Sequence, residues 1–255
     1  MSGGAGEVPS LHIGGGRAVI SLRRPDKRNR IEPVDLETLL GHLGTVRIDP
    51  TVRVVLIEAT GPSWCSGFHL GALADRAPAP VSFGELCDEL ERVEVPTIAV
   101  IAGSVHGGGT DLALACDLRI ASHGVTLGMP AARIGLQYYA SGLRRFVERI
   151  GPAATKRIFL TGETIGADEL LRIGYLTDLV VPSELRNRVD ALCEAVCGLA
   201  PLAARATKSA IDELGGPSPD LDRIQDGHVR SAKSEEHAAA MRLLRERRTA
   251  GAGGD

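Results

Sequence analysis

Residues 95–117 read VPTIAVI-AGSVHGGG-TDLALACD, and this stretch decides the fold class. The β-branched run Val95–Ile101 reads as a buried strand. It leads into Gly103-Ser104-Val105-His106-Gly107-Gly108-Gly109, and the apolar residues Thr110–Ala115 then predict a helix. Strand, glycine-bearing loop and helix in succession point to an α/β core whose ligand contacts lie on strand-to-helix loops. Three consecutive glycines leave bare backbone that a ligand can approach closely. Their N–H groups also stand unpaired at the positive end of the helix. A backbone donor of this kind stabilises negative charge developing on a carbonyl oxygen. The same turn serves equally well as a phosphate cradle or as tight strand–helix contact. It fits neither Gly-x-x-x-x-Gly-Lys-Ser/Thr nor the Rossmann glycine fingerprint.

Working outward, Val52–Glu58 (VRVVLIE) is a second buried strand, followed by a loop over Gly61–Leu70 that contains Trp64-Cys65-Ser66-Gly67-Phe68-His69-Leu70. Arg17–Leu22 reads as a strand ended by Pro25-Asp26-Lys27. Leu36, Leu39, Leu40, Leu43 and Val46 give Glu32–Ile48 helical periodicity, and Val81–Arg92 predicts another helix. Asp117–Ala121 is a further short strand. Beyond about Pro182 strand signals stop, and Leu185–Leu199, Pro201–Leu214, Leu221–Ser231 and Glu235–Arg247 all read as helices. The chain is therefore divided into an α/β body, residues 1–195, and a helical region, residues 196–255, suited to packing against a neighbouring subunit. Gly251–Asp255 reads as a frayed tail.

Among 255 residues, 44% are hydrophobic but only 3% aromatic, which predicts an aliphatic core. A net charge of −3 gives no general attraction to nucleic acid or to an anionic membrane, so anionic ligands must be held by local basic groups. The longest apolar stretch, Thr97–Val105, is far shorter than the roughly 20 residues of a spanning helix, so no membrane insertion is expected. Met1–Pro9 is glycine-rich, without a basic start or an apolar segment, and predicts no signal peptide and a cytoplasmic protein. Cys65, Cys87, Cys116, Cys193 and Cys197 are an odd set at scattered positions and read as free thiols. Cys193 and Cys197, one helical turn apart, read as core residues rather than ligands.

Taken in order, Arg24-Pro25-Asp26-Lys27-Arg28-Asn29, the Cys65–Leu70 loop and Ala102–Asp117 resemble the crotonase (enoyl-CoA hydratase/isomerase) superfamily. The likeness continues through Gly162-Glu163-Thr164-Ile165, Ala167–Val181, and Ala200-Pro201-Leu202-Ala203 with Lys208, and covers roughly residues 10–248. It implies a spiral of ββα units with a helical C-terminal trimerisation region, assembled as a homo-trimer or hexamer. It also implies an acyl-CoA or enoyl-CoA substrate whose thioester oxygen lies between the N–H groups of Phe68 and Gly108. Backbone at Cys65, Ser66, Gly67 and Phe68 would hold the adenine, with Lys27 and Arg28 near the CoA phosphates. No metal or redox cofactor is implied; coenzyme A enters as part of the substrate.

The chain departs from the family pattern where proton transfer is concerned. Family hydratases hold the attacking water between two glutamates. The first position is Asp111 here, an acid that could equally be a helix-dipole partner, and the second is Ala131. A third position, acidic in the isomerases, is Tyr139, which reads either as a proton donor or as a wall of the acyl pocket. Tyr138, His69 and His106 are further candidates. His69 is expected to face solvent beside the CoA entrance, and His106 to be a hydrogen-bonded supporting residue. Arg133 reads as an exposed helix-face residue, and Arg144 and Arg145 as pairing with acids on a solvated face. With one acid in place, double-bond isomerisation is favoured over hydration, because one base can remove and return a proton. An acyl-CoA binding protein without turnover is the alternative, and a scaffold without CoA affinity a weaker third.

Overall fold

A computed structural model describes residues 7–74, 81–216 and 218–251. The strands are β1 (Glu7–Gly14), β2 (Arg17–Arg23), β3 (Val54–Ala59), β4 (Ser63–Cys65), β5 (Thr97–Ile101), β6 (Ser104–His106), β7 (Leu118–Ser122), β8 (Thr126–Gly128), β9 (Ile165–Gly166) and β10 (Asp178–Val180). They form two sheets, ordered β1-β2-β3-β5-β7-β10 and β4-β6-β8-β9. In the first sheet all pairs beyond β1–β2 are parallel. The helices of the body are α1 (Pro33–Ile48), α2 (Leu70–Ala74), α3 (Phe83–Glu91), α4 (Gly108–Leu114), α5 (Ala140–Thr161), α6 (Ala167–Arg172) and α7 (Leu185–Cys197).

The chain winds as a spiral of ββα turns. Each turn lays one strand in the larger sheet, one in the smaller, then a helix: β3–β4–α3, β5–β6–α4 and β7–β8–α5. Alternation makes β3 and β5 central. Val55, Ile57, Ala99 and Ile101 join the main core, while Val54, Leu56, Ile98 and Val100 pack with Leu185, Val189 and Cys193 of α7. Burial on both faces is why these strands read as unbroken apolar runs. Helix α5 is broken internally at Gly151-Pro152, where Gly151 has φ 77°.

The chain divides into two compact units between Cys197 and Gly198. The second unit contains α8 (Pro201–Gly215), α9 (Leu221–Ala232) and α10 (Glu235–Gly251). Asp220 caps α9 by accepting from the Arg223 N–H at 3.0 Å. Residues 1–6 and 252–255, on which part of the expectations for the two ends falls, lie outside the described residues.

The segment between β2 and α1 is held by one acid. Asp35 Oδ2 accepts the Glu32 N–H at 2.9 Å, closing the first turn of α1. Both Asp35 oxygens also receive Arg24, Nε and Nη2 each at 2.9 Å, as a buried two-pronged pair. Asn29, with φ 51°, ties the turn together: its Oδ1 accepts from the Arg24 N–H at 2.8 Å, and its Nδ2 donates to the carbonyls of Thr60 and Ser63 at 2.7 Å. Arg24→Ala is expected to lower the unfolding free energy by about 3 kcal/mol, because Asp35 is left buried without its counter-ion. Urea denaturation at fixed protein concentration checks this.

Candidate active site

Two loops meet at the start of α4. Residues 28–31 strap the first of them. Ser66 N–H donates to Arg28 O at 2.9 Å, Ile31 N–H to Gly67 O at 2.8 Å and His69 N–H to Ile31 O at 3.0 Å. These bonds flank Phe68 in a single parallel bridge with Ile31, so the Phe68 N–H itself is turned away from that pairing. In the second loop the Gly107 N–H donates to Gly128 O at 2.9 Å, and Gly107 takes φ 51° with ψ −131°, a conformation open to glycine. Gly108 follows as the first residue of α4.

The approach of the loops is measured by what side chains would strike. A Cβ on Gly67 (φ 88°) would lie 2.4 Å from the Gly108 nitrogen, and one on Gly109 would lie 2.5 Å from the Cys65 oxygen. A Cβ on Gly108 would lie 3.4 Å from the Phe68 nitrogen. Among the described residues, neither the Phe68 nor the Gly108 N–H is given to an acceptor. Phe68 and Gly108, both partly exposed residues, thus carry backbone N–H groups without a protein acceptor where the two loops approach each other. The Phe83 ring, at the start of α3, lies 2.8 Å from the Cβ position of Gly108 and borders the pair.

One turn into α4, Asp111 is completely buried. Its Oδ1 accepts from Arg145 Nη1 at 2.7 Å. Its Oδ2 accepts from the Tyr139 hydroxyl and lies 3.4 Å from the Tyr138 hydroxyl. The two tyrosine rings stack at 4.3 Å. Burial pushes the Asp111 carboxyl above the ordinary aspartate range, although Arg145 and Tyr139 pull it down. Burial likewise raises both tyrosine hydroxyls, with Asp111 and Cys87 adding to the effect, so they stay protonated and serve as hydrogen-bond donors. Burial pushes the Cys65 thiol up to about 12 and the Cys87 thiol well above its usual value, which leaves neither as a nucleophile.

Residues 12–225 match the sequence profile of the enoyl-CoA hydratase/isomerase family. The chain belongs to that family. It is a family of enzymes, in the crotonase superfamily. The (E)-benzylidenesuccinyl-CoA hydratase of Thauera aromatica is 31% identical over 210 residues, covering 79% of this chain and 80% of the relative. The short-chain-enoyl-CoA hydratase of Clostridium acetobutylicum is 30% identical over 211 residues, with 80% of each chain covered. Among solved structures, the enoyl-CoA hydratase of Bacillus anthracis superposes with a TM-score of 0.87 at 25% identity, covering 94% of this chain and 97% of that one. The ββα spiral is thus the crotonase fold.

Within this enoyl-CoA hydratase/isomerase framework, Phe68, Gly108, Asp111 and Tyr139 fall in one region. Lys27 and Arg28 are exposed, and the Ser66–Arg28 backbone bond brings them beside the Cys65–Phe68 loop. Cys65 is buried, and its Sγ accepts from the Gly67 N–H at 3.3 Å. Ala131 is buried in the turn after β8. Arg133 is exposed and Arg144 pairs with Glu91 and Glu148, both as anticipated.

Other expectations need correction. Arg145 is not on a solvated face: its side chain is fully buried, and the shape of the α3–α4–α5 contact, invisible to helical periodicity, turns it inward. His69 is only partly exposed, its Nδ1 3.0 Å from Glu32 Oε2. The His106 ring makes no hydrogen bond among the described residues; it occupies space left by Gly128, and burial, with Arg28 nearby, lowers its pKa. Cys87 and Phe83 went unnoticed as site residues. A helix signal over Val81–Arg92 could show only that they shared an apolar face.

Proposed function

We propose that this chain turns over an enoyl-CoA thioester, with the Phe68 and Gly108 amides receiving the thioester oxygen and Asp111 moving a proton at the adjoining carbon chain. The observation that carries the reading is the pair of unengaged amides from separate loops, with a buried acid one helical turn away. Each fixed amide stabilises the enolate oxygen more than the ground-state carbonyl, a contribution of roughly a hundred- to a thousandfold in rate. Isomerisation is favoured over hydration. Ala131 offers no second carboxylate to hold and activate water, whereas one base can carry a proton between two carbons of the same substrate. Tyr139 joins the catalytic set through Asp111: its one hydroxyl proton is donated to Oδ2 and orients that acid.

Adenine contacts from Cys65, Ser66, Gly67 and Phe68 and phosphate contacts from Lys27 and Arg28 belong to the same proposal. So do cytoplasmic residence and a body of residues 1–195 carrying a helical oligomerisation region, residues 196–255. That region exposes Leu202, Ile211, Leu214, Leu221, Leu243 and Leu244, an apolar surface suited to a homo-trimer or hexamer. Among the described residues no helix is long and apolar enough to cross a membrane.

A second reading, an acyl-CoA binding protein without turnover, is favoured by one observation: both oxygens of Asp111 are already occupied by protein donors. A panel of enoyl-CoA substrates of different chain length and double-bond position separates the two. The proposal predicts isomer formation from at least one member and little hydration. Tight acyl-CoA binding with no product from any member supports the binder.

A further inference from the structure

Arg145 is a buried cation shared by three acids. Besides Asp111, its Nη2 donates to Asp88 Oδ1 at 2.7 Å and to Glu91 Oε2 at 3.3 Å. From the first turns of α5 it therefore reaches both α4 and α3. Asp111 is also faced by Cys87 and Glu91 of α3, by Tyr138 and Tyr139 ahead of α5, and by Tyr175. None of these is a cation. Glu91 itself is balanced by Arg144 at 2.6 Å and Arg149 at 3.9 Å. Arg145 is thus the cation in contact with Asp111, and by taking Oδ1 it leaves Oδ2 aimed at the Tyr139 hydroxyl.

We infer that Arg145 is a positioning residue of the site, fixing Asp111 as an anion in a single orientation without itself touching substrate. The inference rests on the proposed role of Asp111 in moving a proton. A carboxylate among apolar and acidic neighbours would otherwise take up a proton and could no longer accept one from substrate. A lysine cannot substitute fully, because a point charge does not reproduce the planar fork that spans Asp111 and Asp88.

The test uses Arg145→Gln and Arg145→Lys in the full chain, with two readouts. In the glutamine variant the acid limb of the kcat–pH profile is expected to move upward by about one to three pH units, with KM little changed. The 13Cγ resonance of Asp111, identified by its disappearance in Asp111→Asn, should titrate upward by the same amount. Arg145→Lys should keep the 13Cγ midpoint near that of the wild type yet lower kcat by about tenfold or more, through loss of orientation. An unmoved limb and 13Cγ midpoint in folded Arg145→Gln overturns the inference. So does full kcat in Arg145→Lys, which is the deciding variant if the glutamine form does not fold. If the wild type turns over no substrate, the proposed function fails, while the 13Cγ midpoints still decide whether Arg145 keeps Asp111 ionised.

Discussion

Gly67→Ala is expected to reduce turnover of any enoyl-CoA substrate by about a hundred- to a thousandfold, the worth of one oxyanion donor. Gly67 has φ 88°, where an L side chain is strained by about 1–3 kcal/mol. Its Cβ would also stand 2.4 Å from the Gly108 nitrogen and 3.1 Å from the Gly108 Cα. Both obstacles are backbone, so no rotamer change relieves them. The Phe68 loop must withdraw from α4, and the two amides then no longer share a target. Gly166→Ala is the control: with φ −83° and nothing within 4 Å of its Cβ position, it should leave kcat/KM unchanged. Normal kcat/KM in folded Gly67→Ala would contradict the convergence of the loops.

Asp111→Asn is expected to lower kcat by about a hundred- to ten-thousandfold, the usual worth of a positioned acid–base group. The amide keeps the shape and can still accept from Arg145, so loss of binding is not expected. The split between kcat and KM separates proton transfer from binding. In the wild type, activity should fall as pH drops through the Asp111 pKa, and that limb should sit above the ordinary aspartate value because burial raises it. For stability the sign is opposite to that of a salt-bridged surface acid. Folded Asp111 holds its proton more tightly than the unfolded chain, so its contribution to stability declines as pH rises from the unfolded value through the raised folded one. Retained kcat in the asparagine variant would remove Asp111 from the mechanism.

The middle of the larger sheet, β2, β3, β5 and β7, was legible, above all because β3 and β5 are buried on both faces and runs such as VVLI and TIAV leave little else to read; β1 and β10 at its edges were not read as strands. The smaller sheet was not. β4, β6 and β8 have three residues each, too few to display a period, and β4 and β6 lie in segments that read as loops. α4 begins at Gly108, two residues before its apolar run, because glycine carries no helical signal of its own. α5 was hidden for another reason: Gly151-Pro152 interrupts it, and the adjacent Arg144 and Arg145 do not reveal which of them turns inward. The loop glycines of the site, by contrast, were readable from sequence, since close backbone approach admits no other residue. The environment of Asp111 was not, because it depends on three helices meeting.

The account stands on two amides polarising one carbonyl. Infrared difference spectroscopy of a bound acyl-CoA carrying a 13C thioester carbonyl observes that oxygen's environment directly. The carbonyl stretch should move to lower frequency on binding wild-type protein and return toward the free value in Gly67→Ala. A bound thioester whose stretch matches that of free ligand in the wild type would contradict the account.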